Sequence, residues 1–291
     1  MALLSDIVLR PQNIEPGCNE MSAILFRRII FLLLITVTGS SFLGCTFVRQ
    51  SVAGLRSTDH FATHKNDSRI LFEPGAEDYA NKVVLFLPSA IQQVEAGQYR
   101  SFTKPVRVYI CASRESFARM YGADVRAGVL TKLFLSPRIF EGGDEIAGLY
   151  LIHELSHLHI RDQLGSYKMS RLPFWFKEGL AAYVSDGGGA HTVTEKQAID
   201  FIKSGKYFVP NETGGFIFQK TASDWGLEHH MFYRQSMMFI SYLAKTNQFE
   251  YRKLLLGVEN GERFSTALQA AYNKKLEELW NDFLREVNRM G

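Results

Sequence analysis

Residues 151–159 read Leu-Ile-His-Glu-Leu-Ser-His-Leu-His, a His-Glu-x-x-His pattern set inside an apolar run. On a helix, positions i and i+4 share one face one turn apart, so His153 and His157 point the same way. Two imidazoles on adjacent turns can hold one metal ion between them, and zinc suits that geometry. Glu154 sits beside them, where a carboxylate can take a proton from an attacking water. The flanking Ile146, Leu149, Tyr150, Ile152, Leu155 and Leu158 make this helix apolar nearly all round. It must therefore be the buried centre of whatever fold the chain adopts. The other reading of the pattern is a buried helix with two hydrogen-bonded histidines.

A second segment narrows the choice. Leu172-Pro173-Phe174-Trp175-Phe176-Lys177-Glu178-Gly179-Leu180-Ala181-Ala182-Tyr183 predicts a helix of about three turns. Pro173 fits its first position, where a missing N–H costs nothing, and Gly187, Gly188 and Gly189 punctuate its far end. Glu178 is the one acidic residue in it. Burying a bare carboxylate is costly unless it is paired or bound to metal. Two histidines and one glutamate would leave a fourth zinc position open, as catalytic sites require. Taken alone, Glu178 also reads as part of a solvated helix face.

His-Glu-x-x-His followed by Trp175-x-x-Glu178-Gly179-x-Ala181 resembles the gluzincin metallopeptidases. Within them it is most similar to the bacterial peptidase MA-like domains, distant relatives of aminopeptidase N and thermolysin. The resemblance spans roughly residues 104–289. Glu178 follows His157 at a distance slightly longer than usual in that family, which a loop between helices absorbs. The resemblance implies an α+β fold of the zincin kind: a small mixed sheet, an active-site helix, a glutamate helix and a helical C-terminal lobe. It implies zinc (Zn2+) on His153, His157 and Glu178, Glu154 as general base, and a peptide or protein as substrate.

Tyr233-Arg234-Gln235-Ser236-Met237-Met238-Phe239-Ile240-Ser241-Tyr242-Leu243 reads as a helix. It resembles the aminopeptidase-like helix whose leading tyrosine hydrogen-bonds the oxyanion, which makes Tyr233 a catalytic candidate. A phenol suits developing negative charge; a packing tyrosine at a helix start is the alternative. By the same resemblance His229 or His230 could be a second donor, unless both are simply exposed. Three departures from the family stand out. Ala182 occupies the place of an acidic residue that often orients a zinc histidine. Lys177 replaces a frequent asparagine. Glu141-Gly142-Gly143-Asp144-Glu145 does not match the Gly-Ala-Met-Glu exopeptidase signature. The partners of the zinc ligands are thus unassigned, and aminopeptidase specificity is not carried over.

The N-terminus bears on the compartment. Arg27 and Arg28 precede the apolar run Ile29–Gly39, and Ser40-Ser41-Phe42-Leu43-Gly44-Cys45 follows. A basic start, a short apolar stretch and small residues at a break describe a secretory signal. Leu43-Gly44-Cys45 resembles the bacterial lipobox, which implies lipid on Cys45, with Phe42 where leucine is usual. A retained signal anchor or an ordinary cleaved signal are the alternatives. Met21 makes a conventional start, so residues 1–20 read as a start-site error. The implied organisation is residues 1–44 as signal segment, 45–69 as a polar tether and 70–291 as the metallopeptidase-like domain. The implied location is the bacterial cell envelope, on the outer membrane facing the periplasm, since Thr46 rather than aspartate follows Cys45. Of the cysteines Cys18, Cys45 and Cys111, the last would then be alone, as a small buried hydrophobe.

Elsewhere the spacing predicts a helix over 77–95, a strand over 104–111, a short helix over 115–121 and one strand over 128–135 ended by Pro137. By resemblance that last strand edges the cleft, where a substrate strand could add. Asp144 is a candidate N-cap for the active-site helix. Residues 185–228 resist assignment and are expected to cross the cleft. Leu276, Leu279, Trp280, Phe283 and Val287 form a core-facing helical stripe. A formal charge of +3 without basic clusters argues against a nucleic-acid binder. The reading is zinc-dependent peptide-bond hydrolysis at the envelope. The alternative is a non-catalytic zinc-binding scaffold or interaction lipoprotein, against which the intact Glu154 weighs.

Overall fold

The computed structural model describes residues 53, 55–215 and 219–290. Cys18, Met21, the signal-like segment and Cys45 lie outside the described residues. The fold is α+β, with a small mixed sheet and many helices. Strands β1 (Ala62–Thr63), β2 (Ile70–Phe72), β3 (Val108–Ile110), β4 (Ala127–Val129) and β5 (Leu133–Leu135) lie in the order β1-β2-β3-β5-β4. β2, β3 and β5 are parallel; β1 and β4 run antiparallel at the two edges. Parallel neighbours need a long crossover, which α1 (Glu77–Gln98) supplies between β2 and β3. α2 (Arg114–Tyr121) follows β3, capped by the Ser113 side chain.

Alternation along the strands builds two cores. Ile70, Val108, Ile110, Leu133 and Leu135 face the helices, in one cluster with Val83, Leu87, Leu151 and Leu155. Tyr109 and Phe134 point to the other face, where Phe61, Cys111, Phe117 and Met120 cover them. Cys111 is buried, and burial pushes its thiol far up, as suits an inert packing residue. Each fully buried aliphatic side chain contributes about 1.5–3 kcal/mol, so the short strands are held by their faces more than by their ladders.

Several sequence expectations need correction. The run 128–135 is a hairpin, β4 and β5, because Leu130 N–H turns back to the Lys132 carbonyl at 3.1 Å. The strand expected over 104–111 pairs only at Val108–Ile110, because its neighbour β2 is three residues long and Pro105 has no N–H to offer. The stretch 45–69 ends inside the fold: Phe61 is buried and Ala62–Thr63 pairs with β2.

The helix that carries His153, Glu154 and His157 is α3 (Asp144–Ser170), with a break in helical geometry at Gly165. Asp144 is not its N-cap. Gly143 holds that position without a side-chain bond, and Asp144 accepts from Lys82 Nζ of α1 at 2.7 Å. α4 (Phe174–Val184) carries Glu178, and Pro173 stands just before it as N-cap. The unassigned region contains α5 (Glu195–Lys203), closed by a Thr194–Gln197 capping box. The C-terminal lobe is α6 (His229–Thr246), α7 (Gln248–Glu259), α8 (Phe264–Tyr272) and α9 (Leu276–Arg289). All five residues of the α9 stripe are buried.

α4 and α6 cross in close contact. A Cβ on Gly179 would lie 2.8 Å from the Ser236 carbonyl oxygen, so only glycine permits the approach. Trp175 locks the same helix from below, donating from Nε1 to the Asn211 carbonyl at 2.8 Å and packing on Phe239 and Phe264. This crossing carries Glu178 and Tyr233 to one place.

Candidate metal centre

His153 and His157 project from adjacent turns of α3, and Glu178 reaches them from α4. The two Nε2 atoms lie 3.1 Å apart, and each is 3.3 Å from Glu178 Oε2. Bond lengths of about 2.0–2.1 Å at tetrahedral angles put zinc ligand atoms about 3.3 Å apart. The triangle therefore has the dimensions of three tetrahedral ligands.

The chemistry of the donors agrees. His153 Nδ1 lies 2.8 Å from the Gly188 carbonyl, which can only accept. The proton is thus on Nδ1, and Nε2 presents a lone pair to the Glu178 carboxylate. Two acceptors at that distance repel unless a cation or a shared proton lies between them. Burial pushes Glu178 up, while positive charge on the imidazoles, His157 foremost, would hold the carboxyl well below the usual range; with His153 neutral and its lone pair toward Glu178, a cation between them is what can supply that charge. Its charged form is the one a cation needs. The cluster His153, His157 and Glu178 can hold a metal ion.

Gly188 is the residue that sequence reasoning missed. The turn Gly187–Gly189 after α4 folds back onto α3. A Cβ on Gly188 would meet the Leu149 carbonyl oxygen at 2.4 Å and Ser185 Oγ at 2.6 Å. The backbone carbonyl does the orienting work that a carboxylate at position 182 does in the family the sequence resembles. Ala182 is buried. The triple glycine is the available signal, read from sequence only as punctuation.

These ligands line a cleft of about 560 Å³, which Glu154 and Tyr233 also line. The Glu154 carboxylate has no hydrogen-bond partner among the described residues, and burial pushes its pKa up to about 7. A carboxylate poised there is suited to taking up and releasing a proton. Tyr233, from α6, stacks on His153 with ring centroids 5.9 Å apart. Burial, with the charges of Glu178 and Glu154, keeps its phenol protonated and able to donate. His229 and His230 line the cleft as well; His230 Nδ1 is bonded to Thr192 Oγ1 at 2.5 Å. The same cleft holds Lys177, noted from sequence only as a departure from the family, and Tyr121, Arg126 and Tyr150, to which no motif assigned a role. Its sheet-side wall is the edge strand β4, through Ala127 and Val129.

No protein-family model matches this sequence, and no curated protein matches it. Among solved structures the fold is similar to native yeast LTA4 hydrolase, at 13% identity and a TM-score of 0.48. The match covers 77% of this chain and 38% of that one, so this chain spans well under half of its length. The geometry of the site, rather than this likeness, carries the functional reading.

Proposed function

We propose that this chain is a zinc-dependent peptidase. The observation that carries the reading is the triangle His153 Nε2, His157 Nε2 and Glu178 Oε2 beside the carboxylate of Glu154, which has no hydrogen-bond partner among the described residues. His153, His157 and Glu178 would hold the ion. Bound zinc supplies Lewis acidity toward a carbonyl oxygen and lowers the pKa of water to about 7.

The remaining chemistry belongs to side chains. Glu154 takes the proton of the attacking water as its oxygen bonds to the peptide carbonyl carbon. The same carboxyl then gives that proton to the amine nitrogen as the C–N bond breaks. The Tyr233 phenol donates to the oxygen that becomes negative. Gly188 fixes the tautomer of His153, and β4 offers an open strand edge along which an extended peptide could lie.

A non-catalytic scaffold would need the three ligands and not Glu154. Glu154→Gln separates the two readings. The amide cannot accept a proton, so cleavage of a peptide library by the zinc-loaded protein should fall by about 10²-fold or more while bound zinc is unchanged. Equal cleavage by wild type and variant would contradict the role given to Glu154.

The sequence supports placing the enzyme at the bacterial envelope through lipid on Cys45, on the outer membrane facing the periplasm. Labelled palmitate should enter the wild type and not Cys45→Ser; equal labelling of both would remove the anchor from Cys45.

A further inference from the structure

A second cavity, of about 400 Å³, lies farther along α3. It is lined by Leu158 and Arg161 of α3, by Lys104 and Arg107 ahead of β3, and by Lys132 at the β4–β5 turn. Asp162 is the one acid there, and it is already committed: it accepts from Thr103 N–H, Thr103 Oγ1 and Lys104 N–H. Arg107, Lys132 and Arg161 have no carboxylate within 4 Å among the described residues. Lys132 donates to Thr58 Oγ1 at 2.9 Å and lies over the Tyr109 ring.

Arg161 is the informative member. Its guanidinium donates from Nη1 to Ser166 Oγ at 3.0 Å, while Nε is buried with no partner among the described residues. A half-buried cation without a counter-ion is unfavourable, and burial pulls its pKa down accordingly. A guanidinium is shaped to receive a carboxylate by two parallel N–H···O bonds.

Its position ties it to the candidate active site. His153, His157 and Arg161 stand at i, i+4 and i+8 on one face of α3. The charge of Arg161 acts on Tyr121 and on Lys177, both of which line the first cleft. The β4–β5 hairpin joins the two cavities: Val129 of β4 lines the first, and Thr131 and Lys132 of the turn line the second. Arg161 lies about 6 Å of helix rise beyond His157 and about 12 Å beyond His153. An extended peptide advances about 3.3 Å per residue, so those spans correspond to about two to four residues.

We propose that this cavity is a substrate subsite for a carboxylate, anchored by Arg161 and supported by Lys132, and that it selects peptides carrying an acidic side chain or a free C-terminal carboxylate a few residues from the cleaved bond. The proposal rests on the peptidase reading. An acidic substrate supplies the counter-ion that the fold does not.

The test is cleavage of a random peptide library by the zinc-loaded full chain, with product sequencing, for wild type and Arg161→Gln. The wild type should favour Asp or Glu over Asn or Gln at one fixed position by roughly 10- to 100-fold, the scale of one charge-assisted hydrogen bond. That selectivity ratio should collapse toward one in Arg161→Gln. A parallel library with amidated C-termini identifies the source: loss of cleavage assigns the terminal carboxylate, and retained selectivity assigns a side chain. A wild type without acidic preference, or an Arg161→Gln protein that keeps it, overturns the proposal.

A binding arm separates this outcome from failure of the peptidase reading. Calorimetric binding of an Asp-containing peptide and its Asn counterpart to the Glu154→Gln protein should show the same preference, whether or not the wild type cleaves. Equal binding of the two peptides overturns the subsite. Should Arg161→Gln not fold, Lys132→Gln is the second variant, and an unchanged preference in it counts against the subsite as drawn.

Discussion

His153 donates from Nδ1 to the backbone carbonyl of Gly188 at 2.8 Å, and this one bond decides which ring nitrogen faces Glu178. Side chains at position 188 are excluded by the Leu149 carbonyl oxygen, 2.4 Å from where a Cβ would sit. Gly188→Ala should push the turn off α3 and release the imidazole. Losing such an orienting partner typically weakens metal binding by about 10- to 100-fold. Competition with a chelator measures it, and unchanged zinc affinity in a folded variant would show that the carbonyl is dispensable.

Tyr233 provides a test of transition-state contact. Tyr233→Phe keeps the ring that stacks on His153 and removes only the hydroxyl. If the phenol meets the oxyanion, kcat should fall by roughly 10²-fold with little change in KM. Steady-state kinetics on a cleaved peptide decides it. Both constants staying near wild type would make Tyr233 a packing residue.

Glu259 makes stability depend on pH. Its carboxylate is fully buried at the end of α7, 3.6 Å from Arg100 Nε and 3.6 Å from His159 Nδ1, without a hydrogen bond to either oxygen among the described residues. Burial pushes it up to about 7, against the opposing charge of Arg100. A carboxyl with a raised folded-state pKa contributes stability that is present below its unfolded value of 4.5 and is lost as pH rises through 7. The full effect is on the order of 3 kcal/mol. Glu259→Gln cannot ionise, so relative to wild type it should gain stability between pH 4.5 and 8. Denaturant melts of both proteins across that range measure the difference. A difference that does not vary with pH would mean that Glu259 titrates near its ordinary value.

The candidate site was legible in the sequence where it is local. His153, Glu154 and His157 follow from helical spacing, and Glu178 from being the lone acid in an apolar helix. The structure brings them together with Tyr233. What escaped are relations that no spacing encodes. Gly188 acts through its backbone, so its side chain carries no signal. The hairpin between β4 and β5 turns at Leu130-Thr131-Lys132, without the glycine, proline or asparagine that usually announces a turn, and so reads as one strand. Phe61 and β1 are embedded in a polar stretch whose few apolar residues gave no period. Arg161 stood in plain sight one turn beyond His157 on α3. Only the structure shows that it has no carboxylate partner among the described residues.

The central claim is that His153, His157 and Glu178 together hold one zinc ion. Elemental mass spectrometry of purified wild type and His157→Ala, both dialysed against the same trace-zinc buffer, tests it most directly. About one zinc per chain is expected in the wild type, and most of it should be lost in His157→Ala, since two remaining ligands make a poor site. A wild type without zinc, or a His157→Ala protein that retains its full complement, would contradict the account.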